Sequence, residues 1–246
     1  MKKRKYDKPQ IQEAIFEAKF NFENFDVAMP GQIFELIKNE YPIKQDYKHF
    51  SLTFSENSNL SPLIQAPLIR ASKNDNSEIL QFGPGITVAN NLRYESWDAF
   101  EPTINKILSA YIDVANPINV NRIGTRYINN IHIPLENISV SDYFNLDIQI
   151  PSQLPSMKSL ELVFLNDVVR NNNSFTIRTR FSTETLKQNE IGGRFILDLD
   201  CYIEKQFDCD IKSLISLAKE SHDILEDFFE TIISNKTRSI LEVKNG

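Results

Sequence analysis

Several features of common protein classes are absent from this 246-residue chain or nearly so. It has no apolar run near the ~18 residues that indicate a membrane helix, and no apolar segment follows the positive charges of MKKRKYDKPQ at the amino terminus. We therefore expect no membrane association and a cytoplasmic location. The two cysteines, Cys201 and Cys209, lack metal-ligand neighbours at C-x-x-C spacing. A chain of this length buries enough surface to fold without a disulfide, so we interpret both as structural thiols.

The short motifs of common enzymes are also missing. The sequence contains no G-x-S-x-G elbow, phosphate loop, G-x-G-x-x-G strand turn or H-E-x-x-H helix. Nucleotide-dependent and hydrolytic enzymes of the common classes are therefore disfavoured, and no cofactor is expected. Of three scattered histidines, His222 has Glu226 at i, i+4 spacing, which could hold a metal. Its place in an apolar helical stripe favours a core-edge histidine instead.

The charge is unevenly distributed. The formal net charge is −6, but the first eight residues carry five positive charges and one negative charge, so the tail is +4 and the rest of the chain is −10 (−6 minus 4). Phosphate backbones repel an acidic body, so nucleic-acid binding is disfavoured, although a local basic surface could override the net charge. We expect residues 1–10 to form a flexible basic tail.

What the sequence does contain is a series of strand and helix patterns. Alternation predicts a strand at 11–20, a helix after Pro30-Gly31, and strands near 48–56, 63–73, 78–83 and 85–91. Ser96 is expected to cap a second helix with Trp97 as its core anchor and Pro102 in its first turn or at a kink. Further strands are predicted at 120–133 and near 145–150, 158–166, 174–183 and 193–204.

This order predicts one α+β domain over residues 11–246. The simplest architecture has two pseudo-repeated halves of antiparallel sheet, 11–116 and 117–246, with helices packed on one face. A long apolar stripe after Asp210 predicts a carboxy-terminal helix over about 211–240, which would be about 45 Å long at 1.5 Å per residue. Because that exceeds the diameter of a small domain, such a helix would span both halves or meet a second copy. We therefore expect a homodimer.

Strand alternation also divides the second half into two faces. Ile123, Tyr127 and Ile131 are predicted on the buried face. Arginines fall on the opposite face of three strands, together with two aspartates on the last strand and Gly124 between the first two arginines. The candidate partner-binding residues are Arg122, Gly124, Arg126, Arg178, Arg180 and Arg194, facing Asp198 and Asp200.

Two interpretations of this face stay open. A guanidinium fork binds carboxylates and phosphates in a bidentate manner, and five arginines exceed two aspartates, so the face could hold an acidic ligand. Gly124 would let another chain approach the backbone closely. Alternatively, the arginines form cross-strand ion pairs on a solvated sheet, with Glu161 or Asp167 as additional partners.

A metal site is a further alternative. Asp198 and Asp200 lie on one strand face about 7 Å apart and could share a divalent cation, as in metal nucleases. No motif supplies the third carboxylate and the lysine that such an enzyme needs. Pairing of both aspartates with the arginines is therefore favoured.

The segments RIGTRYIN at 122–129, YESWDAF at 94–100 and KPQIQEAIFE near the amino end resemble a sporadically distributed, uncharacterised bacterial family. The resemblance covers nearly the whole chain and implies no activity. It implies only that the protein is of a kind often carried on mobile or defence islands. LDLDCY at 197–202 and the helix after it resemble the last strand and helix of SecB-type chaperones, which implies a fold and transfers no functional residue.

Together these observations predict a noncatalytic protein- or peptide-binding component of a bacterial defence or stress-response operon. The alternatives are a metal-dependent nuclease or phosphodiesterase and a SecB-like holdase, which should expose a contiguous apolar groove.

Overall fold

The computed structural model describes residues 4–6, 10–24, 26–48, 67–135, 138–147, 159–186 and 191–242. Over these residues the protein is an α+β fold dominated by a large antiparallel sheet of nine strands. The strands are β1 (Ile11–Asn21), β2 (Ile43–Lys48), β3 (Pro67–Ser72), β4 (Glu78–Gly83), β5 (Ile86–Asn91), β6 (Asn119–Ile133), β7 (Glu161–Arg170), β8 (Asn173–Glu184) and β9 (Gly193–Phe207). The helices are α1 (Met29–Ile37), α2 (Trp97–Ala115), α3 (Val140–Tyr143), α4 (Ile211–Ile232) and α5 (Asn235–Leu241).

The chain divides into two compact units whose boundaries differ from the predicted halves. The first unit contains Ile15–Ile123 and Glu204–Ser216, and the second contains Met1–Ala14, Gly124–Ile203 and Leu217–Gly246. Strands pair in the order β2-β3-β4-β5-β1-β6 in the first unit and β6-β9-β8-β7 in the second. These unequal strand sets do not confirm the predicted repeat.

The helices of the first unit agree with the sequence prediction. α1 and α2 pack against each other, and α2 contacts β5. Ser96 caps α2 by accepting a hydrogen bond from the Ala99 amide at 3.2 Å. Trp97 is buried, as expected of a core anchor, and Pro102 lies inside the helix.

A buried carboxylate connects separate segments of the first unit. Glu78 at the start of β4 accepts hydrogen bonds from Tyr41 Oη at 2.6 Å and Thr103 Oγ1 at 2.8 Å, and Lys73 Nζ lies 3.0 Å away. Burial opposes ionisation of Glu78, but these three interactions outweigh it and hold the pKa of the carboxyl below its ordinary value. The charged form is therefore the one that stabilises the fold.

We expect Tyr41→Phe to lower the free energy of unfolding by about 1.5–3 kcal/mol at neutral pH, because it removes a buried donor from a charged acceptor. A depressed carboxyl pKa contributes stability that is present above the unfolded-state pKa and is lost as the pH falls through the folded-state pKa. The variant should therefore lose stability less steeply than the wild type on acidification, which urea denaturation at several pH values measures.

Tyr111→Phe is the matched control for this experiment. Tyr111 Oη donates to the neutral carbonyl of Gly83 at 2.7 Å. The free energy of unfolding that Tyr111→Phe removes should therefore be the same at every pH measured. A Tyr41→Phe effect that is equally independent of pH would contradict the role assigned to the ionised Glu78.

The strands of the second unit show the predicted alternation. Tyr127, Ile131, Phe175, Leu197 and their alternating neighbours are buried, whereas the arginines of β8 are exposed. The face split predicted from the sequence is confirmed for β6, β8 and β9.

The predicted length of the carboxy-terminal helix was wrong. α4 ends at Ile232, and α5 begins three residues later, so α4 is about 33 Å long rather than 45 Å. The break occurs because the backbone there pairs with another segment: Ile233 forms a bridge with Phe144, and the Ser234 amide donates to the Tyr143 carbonyl at 2.8 Å. Ser234 Oγ then caps α5 by accepting from the Lys236 amide at 3.1 Å.

Other element boundaries also differ from prediction. β2 precedes the strand expected near 48–56, of which 49–56 lie outside the described residues. In the strand expected near 145–150, residues 145–147 are not extended sheet, and 148–150 are outside the described residues. The structure places the short helix α3 just before that segment.

Part of the expected basic tail makes specific contacts in the second unit. Arg4 Nη1 lies 2.7 Å from Glu230 Oε2, and Tyr6 Oη also donates to Glu230. Arg238 Nε approaches the same carboxylate at 3.0 Å. The described tail residues are thus held against α4. No helix in the described part of the chain is both long and apolar enough to cross a membrane.

Candidate functional site

The arginines predicted on one face of the second unit do share a face. β8 pairs antiparallel with β9 so that Arg178 lies opposite Asp200 and Arg180 opposite Asp198. Directly paired residues of antiparallel strands point to the same side of the sheet. We call this side the charged face. Its residues on β6 to β9 that matter below are Arg126, Glu161, Val163, Leu165, Asp167, Val169, Thr176, Arg178, Arg180, Glu184, Arg194, Asp198 and Asp200.

Arg126 and Asp198 form the closest charged pair on this face. Arg126 Nε donates to Asp198 Oδ1 at 2.7 Å, and Arg126 Nη2 donates to Asp198 Oδ2 at 2.6 Å. Asp198 is only 8% exposed. The hydrogen bonds from Arg126 to Asp198 raise the pKa of the guanidinium further, although its partial burial acts in the opposite direction. Both carboxylate oxygens of Asp198 are therefore engaged by one arginine.

Most of the remaining candidate arginines in this unit also have partners. Arg180 Nε lies 2.7 Å from Glu161 Oε1 on β7, and both side chains are about half exposed. Arg194 Nη1 donates to Asn130 Oδ1 at 3.0 Å, and its Nε lies 4.0 Å from Glu184. Arg178 differs from them, because in the part of the chain that the structure describes it makes no hydrogen bond or ion pair.

Arg122 belongs to the first unit and is described separately. Its Nη1 donates to Glu17 Oε1, and its Nε lies 3.7 Å from Glu204 Oε1. Its side chain is only 12% exposed. Arg122 therefore stands between two carboxylates of the first unit.

The space beside Gly124 is filled by the neighbouring strand. A Cβ at this position would lie 2.7 Å from the Cys201 carbonyl oxygen and 2.7 Å from Tyr202 Cβ. Both contacts are too short for real side chains. Gly124 thus permits the close approach of β9 to β6, and the chain that approaches its backbone is the protein's own.

The arginine excess expected from the sequence disappears when the sheet assembles. On the charged face, the four arginines Arg126, Arg178, Arg180 and Arg194 are accompanied by five carboxylates, because Glu161 and Asp167 of β7 and Glu184 of β8 join the two aspartates of β9. Asp167 accepts a hydrogen bond from Thr176 Oγ1 at 3.0 Å. An anion site built from arginines without counter-charges is therefore not what this geometry offers.

The feature that the sequence analysis missed is on β7. Val163, Leu165 and Val169 all point to the charged face and are 48%, 61% and 75% exposed. The sequence predicts a strand near 158–166, but alternation within this strand alone does not show which of its sides is the charged face. The signal was present in the odd-numbered apolar residues, and it needed the register with β8 to be interpreted.

A group of potential metal ligands lies on α4, away from Asp198 and Asp200. Within the described ranges, His222, Asp223 and Glu226 on α4 form one group whose ligand atoms lie within 4.8 Å of one another. Tyr127 Oη lies 2.7 Å from His222 Nδ1, which orients the ring so that Nε2 is 3.4 Å from Glu226 Oε1. However, Lys219 Nζ is 2.6 Å from Asp223 Oδ1, so an ammonium group already neutralises one of the carboxylates.

A scan against models of protein families found no match for this chain, and a search of curated proteins found no relative.

We expect Arg126→Gln to lower the free energy of unfolding by about 1–3 kcal/mol, because it leaves the buried Asp198 carboxylate without its bidentate partner. This expected loss of stability is smaller than that for a fully buried pair, because the Arg126 side chain is 40% exposed. Denaturant titration measures the loss.

The double variant Arg126→Gln/Asp198→Asn is the control for this change. Removing the uncompensated charge should recover at least half of the lost stability. A double variant as unstable as the single one would show that Asp198 is not the charge that Arg126 stabilises.

Proposed function

We propose that this protein is a noncatalytic binding protein that recognises a protein or peptide partner through the charged face of β7 and β8. The observation that carries the proposal is the row of exposed apolar side chains on β7, Val163, Leu165 and Val169, which Asp167 interrupts once and which lies next to Arg178 and Arg180 of β8. In the register, Val163 lies opposite Arg180 and Leu165 opposite Arg178. Apolar side chains of β7 thus lie directly beside arginines of β8 on one surface.

This composition is typical of protein interfaces. Arginine and large apolar residues are enriched at interface centres, whereas isolated ion pairs at the rim contribute little. An exposed apolar row rimmed by polar groups is a common mark of an interaction site. The balance of four arginines and five carboxylates on the same face favours a protein surface over the phosphate backbone of a nucleic acid.

The proposal narrows the set of contact residues. Arg122, Arg126 and Arg194 are engaged by neighbouring side chains in their own units, and they serve mainly to hold strands together. Arg178 and Arg180 are exposed and adjoin the apolar row. These two are the arginines that a partner would contact.

The two alternative functions receive less support. A nuclease based on Asp198 and Asp200 would have to break the bidentate pair of Asp198 with Arg126 before a cation could bind. A holdase needs a broad apolar groove, whereas the apolar row of β7 is a single strand wide and lies next to charges. A cytoplasmic location forms part of the proposal, and a role in bacterial defence or stress response rests on the family resemblance alone.

The test is selection of binders from a displayed random-peptide library, followed by fluorescence anisotropy with a selected peptide. We expect Arg178→Ala/Arg180→Ala to weaken binding at least tenfold, since two hot-spot arginines are removed. Both side chains are on the surface, so the fold should be retained, which circular dichroism checks.

Arg70→Ala/Arg93→Ala in the first unit is the matched control and should leave the affinity within twofold. Equal binding by both double variants would contradict the proposed site. Selection of uniformly apolar peptides that are insensitive to the β8 arginines would favour the holdase instead.

A further inference from the structure

The edge of β7 is the second unusual feature of this strand. In the described part of the chain β7 is the last strand of its sheet, so one side of its backbone has no neighbouring strand. Natural edge strands are usually short or carry charged residues, above all lysine, or proline or a bulge, which prevent another strand from adding. β7 is ten residues long, pairs with β8 without a bulge, has neither lysine nor proline, and carries no charge over its central residues 162–166. It is therefore competent to pair with a further strand.

An apolar groove lies beside this edge. It has a volume of about 320 Å³ and is lined on the strand side by Val168 and on the helix side by Ile224 and Phe228 of α4. Ile177 of β8 and the Arg170–Asp227 pair, whose charged atoms are 3.7 Å apart, also line it. A strand added to β7 would direct every second side chain toward this groove, and an apolar side chain would fit there.

The side chains on the other side of the added strand would lie on the charged face. The new strand would lie about 4.8 Å beyond β7 and about 9.6 Å from β8. Arg178 lies opposite Leu165 and makes no ion pair within the described chain. Its long side chain can extend over Leu165, so a carboxylate at the adjoining position of the new strand would complement its charge. Apolar residues would suit the positions beside Val163 and Val169.

We propose that the occupant of this edge is β7 of a second copy of the protein, which makes a two-fold symmetric dimer. A two-fold axis perpendicular to the sheet pairs the two strands antiparallel and keeps the charged faces on the same side. With the axis at Asn166, Val163 lies opposite Val169 of the second copy, and Leu165 lies opposite its Asp167. On the groove side, Phe164 lies opposite Val168.

This register supplies each of the required groups. Asp167 of the second copy lies one strand beyond Leu165, where it complements Arg178. Phe164 of the second copy reaches the groove beside Val168, Ile224 and Phe228. Both contacts occur twice because of the symmetry. The alternative axis at Leu165 would place Asp167 beside Val163, and thus next to Arg180, which already pairs with Glu161.

The dimer would also enlarge the surface used in the proposed function. This inference rests on the proposed function only in treating β7 as an interaction surface. The two apolar rows would lie side by side, with Arg178 and Arg180 of each copy flanking them. The edge holds the second copy, and the face remains open to a partner. Because strand pairing alone makes a small interface, we expect a reversible dimer with a dissociation constant on the order of micromolar.

The test is sedimentation equilibrium of the purified full-length protein over a range of concentrations, without added ligand. The wild type should dimerise, and Val169→Lys should raise the dissociation constant at least tenfold, since a lysine at the edge opposes strand addition. Val169 is largely exposed in the monomer, so the change should leave the fold intact. Leu36→Lys, at an exposed leucine of α1, is the matched control and should dimerise like the wild type.

The register is tested by cysteine cross-linking with a short thiol reagent. Asn166→Cys should give covalent dimers in high yield, because the two thiols face each other at the axis. Ser174→Cys on the exposed part of β8, and the wild type with its buried Cys201 and half-buried Cys209, should give little. A protein that stays monomeric at all concentrations would overturn the dimer. A dimer that Val169→Lys leaves intact, or that cross-links through Leu165→Cys rather than Asn166→Cys, would overturn the edge or the register.

These outcomes are separable from those of the proposed function. Sedimentation needs no partner, and Arg178→Ala/Arg180→Ala affects peptide binding through the face. A monomer that binds selected peptides through the two arginines would retain the proposed function and refute the dimer. A dimer that selects no peptides would do the reverse.

Discussion

The alternation of side chains along β6, β8 and β9 is the constraint on which the second unit depends. Every second residue of these strands is buried, and strand geometry then forces the residues between them to the opposite side of the sheet. That side carries charges of both signs, and their spacing within each strand is fixed by the same geometry. The bidentate pair of Arg126 and Asp198 is a direct result, because it joins residues whose neighbours on both sides are core.

The paired charges of this face, above all Arg126 and Asp198, stabilise the strand register. A one-residue slip between β8 and β9 would move Asp198 and Asp200 to the core and bury their charges. The pairs also make the face nearly neutral, which leaves apolar contact as the property that distinguishes part of it. That part is β7, whose apolar residues on the charged face are exposed to solvent.

The edge and the face of β7 have different physical roles. The edge offers backbone donors and acceptors and can accept only a strand, whereas the face offers side chains and can accept any complementary surface. The proposed dimer uses the first and the proposed partner uses the second. A strand with both properties gives the protein a means of joining two copies while it presents a larger binding surface.

Local periodicity determined much of this protein from the sequence alone. The helices α1 and α2, the Ser96 cap, the strands β1 and β4 to β6 and the buried faces of β6, β8 and β9 all follow from spacing within single segments. Spacing along one strand cannot show what lies beside that strand. The pairing of Arg180 with Glu161, the filling of the space at Gly124 by Tyr202, and the exposed position of Leu165 depend on neighbours between about 13 and 80 residues away.

The length of the last helix shows the same division. The apolar stripe from Ile211 to Ile233 determined that a helix forms, but the stripe continues past the point where the helix ends. The end is decided by Tyr143 and Phe144, whose backbone binds residues 233 and 234. Hydrogen bonds to a distant segment outweighed local helix propensity, because unpaired backbone groups in the interior cost more than a few residues of helix contribute. The sequence by itself therefore determined which faces are buried, and the tertiary structure decided which charges are neutralised and which apolar strand is left open.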